Sequence, residues 1–135
     1  MSPATRRVRS KLGDTAVRSL VKEKHVQQAV TQFLELDGWR ALRTDPVSDR
    51  GRGKGFGEEG MPDYLYVRYP MGRMATCWAH VLWIEFKAPG KQAAPHQVRW
   101  HARERILGAN VQVVDNFDGF RRWYMTSGLN RKMSA

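Results

Sequence analysis

Residues 78–87 read WAHVLWIEFK. Seven of these ten are apolar, and Pro89-Gly90 stops the run. A stretch this short and this apolar predicts a strand buried on both faces, at the centre of a sheet. Glu85 and Lys87 break the apolar pattern near its end. They are two residues apart, so they share a face.

Upstream, residues 63–69 (DYLYVRY) are aromatic and β-branched and predict a second strand. The connector is short and contains Pro70 and Gly72, so a hairpin is the economical topology. If Tyr69 pairs near Ala79, the antiparallel register puts Asp63 opposite Glu85, on the same face. Two carboxylates and an ammonium then meet at one end of the sheet. Carboxylates about 5 Å apart repel by about 3 kcal/mol at an effective dielectric of about 20. Three solutions stay open: one acid is protonated, Lys87 pairs with them, or a divalent cation lies between them. Oxygen donors of this kind suit Mg²⁺ or Mn²⁺.

The rest of the chain frames this pair. Val26, Ala29, Val30, Phe33 and Leu34 recur at helical spacing, and Gly38 is placed to end that helix. Glu23 precedes Val26 by three residues and Val30 by seven, so it projects from the apolar face. Residues 39–44 predict a short strand. Residues 45–60 (DPVSDRGRGKGFGEEG) predict a loop, with Arg50, Arg52 and Lys54 suited to a phosphate backbone. Downstream, Pro95 opens a helix through Leu107 that Gly108 ends. Residues 111–115 predict another strand. Asn116 or Asp118 caps a last helix through Phe120, Trp123 and Tyr124. The order is helix, three strands, helix, strand, helix. It implies one α/β domain over 21–125, a mixed central sheet flanked by helices, with a basic N-terminal arm at 1–20 and a C-terminal tail at 126–135.

Composition narrows the partners. The 135 residues carry 23 Lys+Arg against 13 Asp+Glu, a formal charge of +10. Such a field draws in polyanions, nucleic acid first. No apolar run reaches spanning length, and MSPATRRVRSK lacks a signal-peptide core, so no membrane role is expected. One cysteine, Cys77, allows neither an internal disulfide nor a Cys-rich zinc site. A reducing cytoplasm is the expected setting. His25, His80, His96 and His101 have no metal-ligand spacing. Lys91, Arg99 and Arg103 are candidate phosphate contacts beside the site, with a solvated helix face as the plain alternative. Trp100 is the candidate for a subunit interface. Glu85 and Lys87 could equally be a surface ion pair of little energetic weight. Their apolar flanks, the nearby Glu23 and the overall charge favour a site.

Gly60-Met61-Pro62-Asp63, then Ile84-Glu85-Phe86-Lys87-Ala88-Pro89-Gly90, then Gln97, resembles the PD-(D/E)xK nuclease superfamily. Within it the chain is similar to the VRR-NUC domain, in the short stand-alone form found in phages and bacteria. The resemblance covers about residues 22–124. It implies the restriction-endonuclease-like αβββαβ core. It makes Asp63 and Glu85 metal ligands together with the backbone carbonyl of Phe86, with Glu23 assisting directly or through water. Lys87 would position or activate the attacking water, and Gln97 would orient Lys87 or the scissile phosphate. The implied cofactor is Mg²⁺, with Mn²⁺ as substitute. The implied activity is hydrolysis of duplex or branched DNA, by a protein that can form homodimers, in a bacterial cell or phage-infected host. The competing reading is a nucleic-acid-binding module with this fold and no chemistry.

Overall fold

The computed structural model describes residues 22–44, 57–70 and 78–131. The basic arm lies outside the described residues, as do Arg50, Arg52, Lys54, Gly72 and Cys77. The described part of helix α1 runs over 22–36. It is followed by β1 (Arg40–Arg43), β2 (Tyr64–Arg68), β3 (His80–Phe86), α2 (Pro95–Ile106), β4 (Val111–Val114) and α3 (Phe117–Thr126). The strands form one sheet in the order β1-β2-β3-β4. The first three are antiparallel neighbours, and β4 runs parallel to β3. A parallel return needs a long crossover, and α2 supplies it. The expected α/β class and element order are those observed.

The β2–β3 ladder runs from Tyr64↔Ile84 to Arg68↔His80. Continued by one residue it sets Asp63 against Glu85, the register expected from the hairpin. Strand alternation then divides the sheet. Tyr66, Leu82, Ile84, Phe86 and Val114 point to one side and form the core with Val30 and Leu34 of α1 and Phe120 and Tyr124 of α3. Phe33 sets its ring edge-on to Phe117, Phe120 and Tyr124, locking α1 to α3. Trp83 points to the other side, where Trp100 of α2 meets it edge-on with ring centroids 5.2 Å apart. Glu85 and Lys87 share the face of Trp83.

Three expectations need correction. The central strand is buried on both faces only in its second half: Trp78 is 92% exposed, and His80 and Val81 are also exposed. Pairing with β4 begins at Trp83, so the first residues of β3 have a neighbour on one side only. Trp100 is not a surface for a partner; it is 5% exposed because Trp83 and the turn before Asp63 cover it. The chain after α3 is also no loose tail as far as 131. Leu129 packs on the core, and Arg131 donates to the Tyr69 carbonyl at 2.6 Å.

Helix ends follow from local chemistry. The Asn116 side chain accepts from the Gly119 N–H at 2.6 Å and caps α3. Gly38 takes φ +90° after α1, a conformation costly for residues with a Cβ.

Candidate active site

Asp63 comes from the residue before β2, Glu85 from β3, Lys87 from the residue after β3, Gln97 from the first turn of α2, and Glu23 from α1. The fold brings all five into one electrostatic neighbourhood. The Phe86 N–H donates to Asp63 Oδ2 at 3.2 Å, tying Asp63 to the central strand. Glu85 is 2% exposed. Its Oε1 accepts from Gln97 Nε2 at 2.8 Å and from Lys87 Nζ at 3.2 Å. Its Oε2 is buried with no partner among the described residues. Both donors thus hold one oxygen and leave the other bare.

That arrangement is electrostatically poor for a doubly ionised pair. Burial, then the neighbouring Asp63, pushes Glu85 up to about 7, against the pull of Lys87 and Gln97. Burial also raises Asp63, opposed first by the Phe86 N–H and then by Lys87. Glu23 is raised by its own partial burial and then by Asp63, with Lys87 opposing. Three acids therefore compete for one ammonium. Leaving a buried acceptor without a donor costs about 1–3 kcal/mol, more when it is charged.

The donor chemistry fits a small hard cation. Bare Oε2 and the adjacent Asp63 carboxyl offer two anionic oxygens. Among the described residues no group of three or more His, Cys, Asp or Glu side chains is arranged to hold a metal. A cation here would take two carboxylates and complete its shell with backbone carbonyl, water and substrate oxygens. Such a shell suits Mg²⁺, which keeps several waters.

Gln97 does two jobs. Its Oε1 accepts from the Ala94 N–H at 2.9 Å, which satisfies an open donor at the start of α2, while its Nε2 reaches Glu85. The helix start is thus fixed by the same side chain that orients the acid. Four residues on, His101 is buried, with Nε2 unpartnered among the described residues. Burial, then the charges of Arg105 and Lys87, lowers it to about 4. It is neutral at pH 7 and adds no charge to the site.

Gly60 of the quoted motif, with Glu58 and Thr44 that the sequence pattern did not single out, holds the turn before Asp63. Gly60 has φ +87°, and a Cβ there would meet the His96 carbonyl oxygen at 2.5 Å and Trp100 Cβ at 3.1 Å. The Gly-Met-Pro-Asp turn therefore rests directly on the backbone of α2. Glu58 Oε2 accepts from Trp100 Nε1 and from Arg103 Nη2, each at 2.8 Å. Thr44 donates its backbone N–H to the Asp63 carbonyl at 2.9 Å and its hydroxyl to the Pro62 carbonyl. Glu58 lies in a Gly-rich stretch whose sequence has no periodicity, so only its partners across the fold reveal its place.

The candidate phosphate contacts divide. Lys91 and Arg99 are exposed. Arg103 is engaged with Glu58 and Glu104. Arg105 donates to the Val111 carbonyl at 2.6 and 3.1 Å, docking α2 on β4. Among the described residues no helix is long and apolar enough to cross a membrane.

No family model matches the chain. A phage protein named "Putative nuclease p44", from Acyrthosiphon pisum secondary endosymbiont phage 1, is 40% identical over 62 residues, 46% of this chain and 58% of that protein. The chain thus spans somewhat more than half the length of that curated relative. A solved structure described as "VRR_NUC domain" superposes with a TM-score of 0.57 at 29% identity, covering 78% of this chain and 96% of that one.

Proposed function

We propose that this chain, whose fold is that of the VRR-NUC nuclease domain, is a Mg²⁺-dependent endonuclease that hydrolyses phosphodiester bonds in duplex or branched DNA. The observation that carries this reading is the paired Asp63 and Glu85 at one sheet end, with Glu85 Oε2 buried and bare and Lys87 at 3.2 Å from Oε1.

In this reading Asp63, Glu85 and the Phe86 carbonyl would hold the cation, with Glu23 assisting directly or through water. When bound, Mg²⁺ neutralises charge on the phosphate and activates water for attack. Lys87 orients the attacking water and offsets charge developing on the phosphoryl oxygens. Gln97 keeps the Glu85 carboxylate turned, with Oε1 occupied and Oε2 open. The positive field of the chain concentrates DNA, with Lys91, Arg99, Arg50, Arg52 and Lys54 as phosphate contacts. A homodimer in the bacterial or phage-infected cytoplasm completes the proposal.

The competing reading, DNA binding without chemistry, also predicts affinity that falls with salt, but it has no use for Lys87 beside two acids. Labelled duplex, flap and four-way-junction DNA incubated with Mg²⁺, Mn²⁺ or EDTA separates the two. Cleavage is expected with either metal and none in EDTA. Equal behaviour of wild type and Asp63→Ala in all three conditions overturns the enzyme. Sedimentation showing only monomer at micromolar protein, with and without DNA, removes the homodimer.

A further inference from the structure

Helix α1 carries two stripes at the same spacing. One is the apolar stripe that meets the core. The other is Lys24, Gln27, Gln28, Thr31 and Gln32, recurring at i, i+3, i+4, i+7 and i+8. A solvated helix face in a soluble protein normally carries charges of both signs. Here one residue of five is charged, and an acid, Glu35, follows only at the next turn. These five line an open cavity of about 410 Å³, closed on its far side by Tyr64 of β2. That volume lies within the range of about 300–1,000 Å³ of pockets that enclose a small molecule.

The groove meets the candidate active site at Glu23, beside Lys24 and Gln27; Tyr64 alternates to the sheet face opposite Asp63 and Glu85. The far wall is rigid: Tyr64 stacks on Tyr66 and meets Phe86 edge-on, and the Thr31 hydroxyl shares a 2.7 Å hydrogen bond with the Tyr66 hydroxyl. Gln27 Nε2 lies 3.5 Å from Glu23 Oε1. Gln28 and Gln32 stand exposed at the rim.

A glutamine amide can donate to a phosphate, but a phosphodiester offers no donor to the amide's carbonyl oxygen. Glutamine amides present donor and acceptor together, as base edges do. In a duplex the pairing edges are already used. Unpaired bases expose them and also stack on aromatic surface, which Tyr64 supplies. Resting on the nuclease reading above, we propose that this groove takes one unpaired nucleotide of the substrate strand next to the scissile phosphate, gripped by its base edge through Gln28 and Gln32.

The test uses the full chain and two DNAs of one sequence, a blunt duplex and a duplex with a single-stranded tail. The variant is the Gln28→Ala, Gln32→Ala pair, both exposed and outside the core. Binding is measured in the Glu85→Gln background and cleavage with Glu85 intact. Removing the two amides should raise Kd and KM for tailed DNA about tenfold, with kcat and the affinity for blunt duplex within twofold. The slope of log Kd against log salt should not change, because no phosphate contact is lost; Lys24→Ala should reduce it by about one. An abasic nucleotide in the tail should weaken wild type by the same factor and leave the double variant unaffected. Equal tailed-DNA binding by variant and wild type overturns the groove. So does an equal loss on blunt duplex, or full-strength binding of the abasic tail by wild type. Absence of cleavage with any metal, while the amide effect on Kd persists, removes the nuclease reading and leaves the groove standing.

Discussion

Asp37 and Glu85 are both buried acids, 8% and 2% exposed, at the two ends of one fold. Asp37 follows the C-terminal end of α1; Glu85 lies near Glu23 at its other end. Asp37 Oδ2 accepts from Arg68 Nη1 at 3.1 Å, from the Tyr124 hydroxyl and from the Arg131 N–H. Around it, Trp39 Nε1 donates to the Tyr124 hydroxyl at 3.0 Å, and the Arg68 guanidinium lies 4.7 Å over the Trp39 ring. Burial, then the bond to Asp37, pushes Tyr124 up to about 12, so it stays a donor. Both acids take their donors on one oxygen, but at Glu85 the other oxygen is itself buried without a donor among the described residues, and a second acid stands beside it. Burial costs both groups solvation. The acid matched by a cation and neutral donors ties elements together. The acid left open has capacity to spare, which is what a ligand site requires.

The largest effect should separate these two acids by assay. Glu85→Gln keeps the shape and the contact to Gln97 but removes the anionic charge. Cleavage should fall about ten-thousandfold, about 5.5 kcal/mol in the barrier, with DNA affinity within a few-fold. Asp37→Ala should do the reverse. It strands Arg68 and should cost about 3–5 kcal/mol of stability, while the folded fraction keeps its kcat. Denaturant melts and single-turnover cleavage on both variants check this. If Asp37→Ala lost activity at full stability, the division between the two acids would be wrong.

A smaller effect lies in pH. Glu85 is raised from its ordinary 4.5 to about 7 in the folded chain. Between those values the folded form binds more protons than the unfolded one, so stability falls as pH rises through that window and is flat above it. In EDTA the loss should be on the order of 3 kcal/mol, read as a falling Tm. Glu85→Gln should flatten the profile and melt higher than wild type at pH 8. Excess Mg²⁺ should restore wild type by binding only the folded state. A wild-type Tm in EDTA that does not fall between pH 4.5 and 7 would mean that Glu85 is better solvated than its surroundings indicate.

The smallest effect concerns the brace between the two motifs. Glu58 is 61% exposed at its side chain, so its ion pair with Arg103 contributes little; its bond to Trp100 matters more. Glu58→Ala should cost about 1 kcal/mol and lower kcat a few-fold as α2 and Gln97 loosen. An unchanged kcat with lowered stability would restrict Glu58 to a structural role.

Much of this was legible from one strand. WAHVLWIEFK and the 63–69 run predict a hairpin; with the register assumed there and found in the β2–β3 ladder, strand alternation puts Asp63, Glu85 and Lys87 on one face. The apolar periodicity of α1 and the cap at Asn116 are local signals, and local signals survive folding. Glu58, Gly60, Thr44 and the amide stripe with Tyr64 were not legible as a unit. Each acts through a residue distant in the chain, and no local pattern records such a pairing. Trp100 shows the same limit: an aromatic on a helix reads as an interface until the sheet face and turn that cover it are known.

The sequence by itself determined the element order and the shared face of Glu85 and Lys87, because periods of 2.0 and 3.6 residues and turn chemistry are properties of neighbouring residues; the register that sets Asp63 against Glu85 came from the ladder. The tertiary structure alone decided that Gln97 and Lys87 crowd one oxygen of Glu85 and leave the other bare, that Gly60 rests on α2, and that a row of glutamines faces Tyr64 across a groove. Those follow from how α1 and α2 pack on opposite faces of the sheet. Packing depends on the summed shape of side chains far apart in the chain, which no single stretch specifies.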